Sequence, residues 1–110
     1  MLFLAYDVGT SSVKSTLVNE LGDIVSFANF DYPHDAECLH TEQNPYSWWE
    51  GVCITTKKLF ERNPEYAVKV EAIGTGGHML GCLPVDANGE PLRPAMLHSD
   101  SRSTYEEVII

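Results

Sequence analysis

No long hydrophobic run occurs in this sequence. Its apolar opening, Met1 to Ala5, is followed almost at once by Asp7, far short of a signal-peptide core or of the ~20 residues a membrane-spanning helix needs. A cytoplasmic protein with no membrane partner is therefore expected. Cysteine is scarce: Cys38, Cys53 and Cys82 are odd in number and form no CxxC pair, which argues against both a disulfide framework and a zinc site. His34, His40, His78 and His98 show no metal-ligand spacing, so no structural metal is predicted. Basic residues are few, seven Lys and Arg against sixteen Asp and Glu for a net charge of -9. They are also scattered, leaving no positive stripe for a phosphate backbone, so nucleic acid is not an expected partner. No low-complexity tract appears and 44% of residues are hydrophobic, which fits a folded chain. No repeat recurs at periods of roughly 20 to 50 residues. A chain of 110 residues can bury one core but is too short for two domains closing on a cleft.

What is present reads as mixed α/β. Leu2 to Tyr6 is a continuous apolar run bounded by Asp7 and Gly9, the pattern of a strand buried on both faces. Val13 to Val18 and "IVSFANF" follow, separated by "NELGD", so an antiparallel three-strand meander is expected at the start. Residues 31 to 43 lack periodicity and read as a loop. A helix follows, with Asn44 as its cap and Pro45 in its first turn. Trp48, Val52, Thr56 and Leu59 form its core stripe, Trp49, Cys53 and Phe60 lie beside them, and Pro64 stops it. Both tryptophans are assigned to the core. A strand is predicted from Val68 to Thr75, entering a glycine-rich bend at Gly74, Gly76 and Gly77. Asn88-Gly89 marks a turn, and the hairpin-like pair around it is expected to continue the sheet. "SRSTYEEVII" begins as a helix capped by Ser or Asp, and its apolar stripe meets the last residue without a C-cap, which predicts a longer parent.

The stretch "YDVGTSSVKSTLV", Tyr6 to Val18, concentrates a carboxylate, a glycine and three hydroxyls in a tight turn. Gly9, Thr10, Ser11 and Ser12 can bring convergent donors to a phosphate, and Lys14 adds positive charge. Asp7 could hold Mg²⁺ directly or through water, which gives a nucleotide-kinase arrangement. The same residue types also populate ordinary hairpin turns for conformational reasons alone. The stretch is not a GxxxxGK[ST] loop, and "GTGGHMLG" breaks the dinucleotide fingerprint at Met79.

Taken together, four segments resemble the FGGY carbohydrate kinases. "DVGTSSVKSTLVNELGDIV" is similar to their first phosphate-binding hairpin, "TEQNPYSWW" to "EQDPxxWW", "IGTGGHMLG" to "IGxSGQMHG", and "DANGEPLRPAMLHSDSRS" to "DxxGxPLRPAILWxDxR". Xylulokinase-like members show the nearest pattern. The resemblance implies a ribonuclease H-like, actin-like ATPase fold, with residues 1–110 forming the N-terminal part of the first kinase domain and the second domain absent. It implies ATP and Mg²⁺ as cofactors, Asp7 near the metal, and Gly9, Thr10, Ser11, Ser12 and Lys14 near the nucleotide phosphates. Gly77, His78, Met79, Leu80 and Asp100 are implied on the side of a sugar or polyol, a pentulose-like substrate by pattern. His78, Leu80 and His98 replace the family's glutamine, histidine and tryptophan. The general base and adenine pocket are implied downstream, so no catalytic residue is assigned in this segment and the segment alone is expected to be inactive. The remainder of the kinase chain is then a partner, and an exposed apolar face predicts self-association, for instance as a homodimer.

Plainer readings stand beside these. His78 could be a satisfied structural histidine, and Asp100 with Arg102 could simply cap and pair at a helix start. Glu106 and Glu107 read as a solvated helix face. A non-catalytic sugar- or nucleotide-binding module of the same fold is the alternative class. An actin-like or heat-shock-type ATPase is disfavoured by the tryptophan helix and the "PLRPAMLHSDSRS" segment.

Overall fold

Every second residue of the opening run, Leu2, Leu4 and Tyr6, is buried, whereas Ala5 and Asp7 are exposed. The computed structural model, which describes residues 1–110, thus makes this run a strand buried on one face, β1 (Leu2–Val8). Continuous apolarity had suggested two covered faces. Successive strand side chains point to opposite sides, and only the side that meets the helix described below is closed.

The chain divides into two compact units, one of residues 1–33 and 46–78, the other of residues 34–45 and 79–110. In the first, β2 (Ser12–Asn19) and β3 (Ile24–Asp31) complete the antiparallel meander, and β5 (Val70–Gly77) pairs parallel with β1 in the order β3-β2-β1-β5. The connection to β5 contains helix α1 (Tyr46–Arg62) and a 3-10 segment, Pro64–Lys69. Because that segment claims Val68 and Lys69, β5 starts later than its sequence pattern predicts. It runs through Gly74 and Gly76 to Gly77, so these glycines lie in a strand and not in a bend.

The buried line of α1 is Gly51, Thr55 and Leu59, spaced four residues apart as one helix face requires. This corrects the tryptophan assignment: Trp49 is 71% exposed and Trp48 only half-buried. Size decides it. A Cβ on Gly51 would lie 2.5 Å from Val13 Cγ2 and 3.0 Å from Phe30 Cδ1, so the helix rests on the sheet where its side chain is smallest. Two hydroxyl pairs then tie the layers. Ser15 Oγ donates to Thr55 Oγ1 at 2.5 Å with both residues fully buried, and the Tyr6 and Thr56 hydroxyls meet at 2.6 Å. Leu4, Tyr6, Leu17, Ala28 and Leu59 form the apolar core around them.

In the second unit, β4 (Glu42–Gln43) lies within the segment predicted to be a loop and pairs antiparallel with β6 (Ala95–Met96). Cys82 and Met96 exchange both backbone hydrogen bonds at 2.9 Å. The Asn88-Gly89 turn forms as expected: Gly89 adopts φ +85°, and Asp86 Oδ1 accepts from the amides of Asn88 and Glu90. These pieces do not extend the four-stranded sheet. They form a separate small sheet, because β6 finds its ladder on β4. Helix α2 (Thr104–Ile109) follows Ser103, whose side chain makes no capping bond and instead donates to Glu107. No helix of the chain is long and apolar enough to cross a membrane.

Candidate functional site

The first unit collects eight of the residues singled out by sequence. Val8 ends β1 and Ser12 begins β2, so Gly9, Thr10, Ser11 and Ser12 form the tight turn between them, closed by the Gly9 amide on the Ser12 carbonyl at 2.9 Å. Thr10 and Ser11 are exposed at its tip. Asp7 stands opposite Lys14 on β2 and opposite Gly76 on β5. Residues directly opposite share a face, so Asp7 and Lys14 emerge side by side on the side of the sheet away from α1. Gly76 leaves room there, since a Cβ on it would meet nothing within 4 Å. One carboxylate with open space beside a hydroxyl-rich turn offers the oxygen donors by which Asp7 would hold a hydrated Mg²⁺.

Gly77 and His78 belong to the same end of this sheet. Gly77 pairs with Val8, and the His78 amide donates to the Val8 carbonyl at 3.0 Å. A Cβ on Gly77 would approach that carbonyl to 3.0 Å, so glycine permits the close contact. The His78 ring meets Trp48 edge-on at 5.4 Å, and its Nδ1 is buried without a hydrogen-bond partner. A buried nitrogen left unpaired is costly. Sequence reasoning had placed Trp48 in the core and so missed this contact.

Met79, Leu80 and Asp100 lie in the second unit. Met79 and Leu80 are 71% and 77% exposed, and Leu80 is held at φ +59°, a left-handed conformation rare for a branched residue. Leu80, His98, Asp100 and Arg102 contribute to a cavity of about 550 Å³. Asp100 is not free in it. Arg102 donates to both of its oxygens at 2.8 and 2.5 Å, and Thr41 Oγ1 donates to Oδ2 at 2.8 Å. Arg102 also reaches Glu42 at 2.8 Å, and Arg93 pairs with the same Glu42 oxygen. These donors hold the Asp100 carboxyl well below the usual carboxylate range, chiefly through Arg102. Glu42 is lowered first by the Leu39 amide and then by Arg102, whose own guanidinium is raised in turn by Asp100. Glu42 and Arg93 stood inside recognised segments without a role, because nothing local reveals that residues 51 positions apart will pair.

The N-terminal domain model of the FGGY family of carbohydrate kinases matches residues 2–109. The chain is 35% identical over 109 residues to the xylulose kinase of Escherichia coli, covering 96% of this chain and 22% of that protein. It is 31% identical over 101 residues to the gluconokinase of Bacillus subtilis, covering 91% and 19%. A xyloylose kinase structure from Brucella ovis superposes with a TM-score of 0.89 at 29% identity over 99% of this chain and 23% of that one. The chain thus spans about one fifth of the length of the curated relatives it matches. The mixed sheet with its antiparallel N-terminal strands is the ribonuclease H-like, actin-like ATPase fold of these kinases. By sequence and by fold, the chain belongs to the FGGY family of carbohydrate kinases.

Proposed function

We propose that this chain carries the phosphate-gripping hairpin and part of the sugar site of an ATP-dependent sugar or polyol kinase. One observation carries the reading: β1 and β5 end side by side, so Asp7, the Gly9 to Ser12 turn and the Gly77-His78 step share one end of one sheet. A kinase needs phosphates and acceptor held close together, because phosphoryl transfer depends mainly on positioning and charge stabilisation.

In this reading the Thr10, Ser11 and Ser12 hydroxyls and turn amides hold the nucleotide phosphates, Lys14 offsets their charge, and Asp7 holds Mg²⁺. The metal neutralises charge on the phosphate oxygens when bound. His78 faces the substrate in this reading, its backbone held to Val8 where Gly77 allows the close approach. Met79, Leu80 and Asp100 of the second unit are assigned sugar contacts by resemblance alone, Asp100 held in orientation by Arg102. The acceptor hydroxyl forms its bond to the γ-phosphorus as the bond to the bridging oxygen of ADP breaks. Its proton passes to a base outside residues 1–110, so these residues alone have negligible turnover. The names of the xylulose kinase relatives favour a pentulose-like substrate.

The test is a coupled assay of ATP consumption by the complete kinase chain against pentuloses, hexuloses, polyols and sugar acids, with Asp7→Ala alongside. Turnover on one compound that falls about 100-fold or more in Asp7→Ala is expected, the scale of losing one preorganised electrostatic contact. Silence across the panel from folded protein favours a binding module instead.

A further inference from the structure

The turn that bears Thr10, Ser11 and Ser12 is gripped from outside its own hairpin. Tyr32, the residue after β3, donates its backbone N–H to the Ser11 carbonyl at 3.0 Å and its phenolic O–H to the Gly9 carbonyl at 3.0 Å. Two carbonyls two residues apart are thereby drawn toward one side chain and its own backbone. The chain has no cis peptide bond, and in a trans peptide the C=O and the following N–H point to opposite sides. Holding the Gly9 and Ser11 carbonyls toward Tyr32 therefore directs the Thr10 and Ser12 amides away from it. Neighbouring backbone N–H groups turned to one side make a concavity suited to an anion.

We infer that Tyr32 is a positioning residue, which sets the direction of the Thr10 and Ser12 amides for a nucleotide phosphate. The inference rests on the kinase reading above. Phe30 steadies the phenol ring edge-on at 6.4 Å. Burial and, secondarily, the charge of Asp7 push the phenol up to about 12. It therefore stays protonated and able to donate across the neutral range, which a phenolate could not do.

The test compares the complete kinase chain with its Tyr32→Phe variant, which keeps the ring and the backbone bond to Ser11 but loses the bond to Gly9. Titration with Mg·ADP in the absence of sugar should show Kd raised about fivefold, the scale of one hydrogen bond, with KM for the sugar unchanged. A lowered melting temperature with wild-type Mg·ADP affinity would reduce Tyr32 to a structural role and overturn the inference. A second measurement needs no variant: Mg·ADP added to wild-type protein should move the Thr10 and Ser12 amide proton resonances downfield. Binding that leaves both unmoved overturns the inference. A wild-type chain that binds no Mg·ADP removes the kinase reading together with this one, whereas equal binding by wild type and Tyr32→Phe removes this one alone.

Discussion

Each of the two units is stabilised internally by a different force. The first buries Leu2, Leu4, Tyr6, Val13, Leu17, Ala28 and Leu59, while the second buries only Ala95 among its hydrophobic residues. In place of an apolar core the second unit has a network in which Glu42 and Asp100, with side chains only 7% and 6% exposed, are shared by Arg93, Arg102 and Thr41. Apolar burial is insensitive to proton concentration, whereas a carboxylate network depends on it. The scaffold of the Gly9 to Ser12 turn therefore stands on the robust term and the residues around Asp100 on the titratable one.

The largest break in that contrast should come from Leu17→Ala. Leu17 is fully buried in the first unit, and truncation there should cost about 2–5 kcal/mol in denaturant unfolding. A cost under ~1 kcal/mol would show that the sheet and helix are not held by this core. Gly51→Ala comes next. Its Cβ would enter the Val13 side chain, and overpacking of about 1–3 kcal/mol should exceed the ~1 kcal/mol of helix propensity that alanine adds. Stabilisation by this variant would mean that α1 can lift off the sheet without loss.

Acid sharpens the comparison with a smaller, selective effect. Asp100 and Glu42 are lowered in the folded state. Their stabilisation is therefore complete above the ordinary carboxylate range near ~4 and is lost as pH falls through their depressed folded values. Amide-exchange protection at Cys82 and Met96, taken relative to the intrinsic rate at each pH, should fall on acidification before protection in β1 and β2 does. Arg102→Met should raise the Asp100 carboxyl toward its ordinary value and move that transition to higher pH. Equal acid sensitivity in both units would erase the distinction.

The readable parts of the sequence were those whose causes are local. Asn88-Gly89 made its turn because glycine accepts positive φ, α1 ended before Pro64, and the hydroxyl-rich turn fell between two strands as its composition predicted. The parts that were hidden depend on distant partners. Tyr32 gives no local sign that it will clasp Gly9, 23 residues away. Trp48 and Trp49 lie on an apolar stripe, yet the smaller Gly51 face won the sheet, because a helix settles where side-chain volume allows the nearest approach.

By itself, then, the sequence determined the family, the order of the four strands and the helix in the first unit, and the turns at which the chain reverses there and at Asn88-Gly89, since each follows from residue type and short-range spacing. Tertiary structure alone decided which face of α1 is buried, that Ala95–Met96 pairs with Glu42–Gln43 and not with the four-stranded sheet, and that Arg102 and Thr41 claim the Asp100 carboxylate. Those outcomes are competitions among distant groups for the same space, ladder or charge, and only the folded chain brings the competitors together.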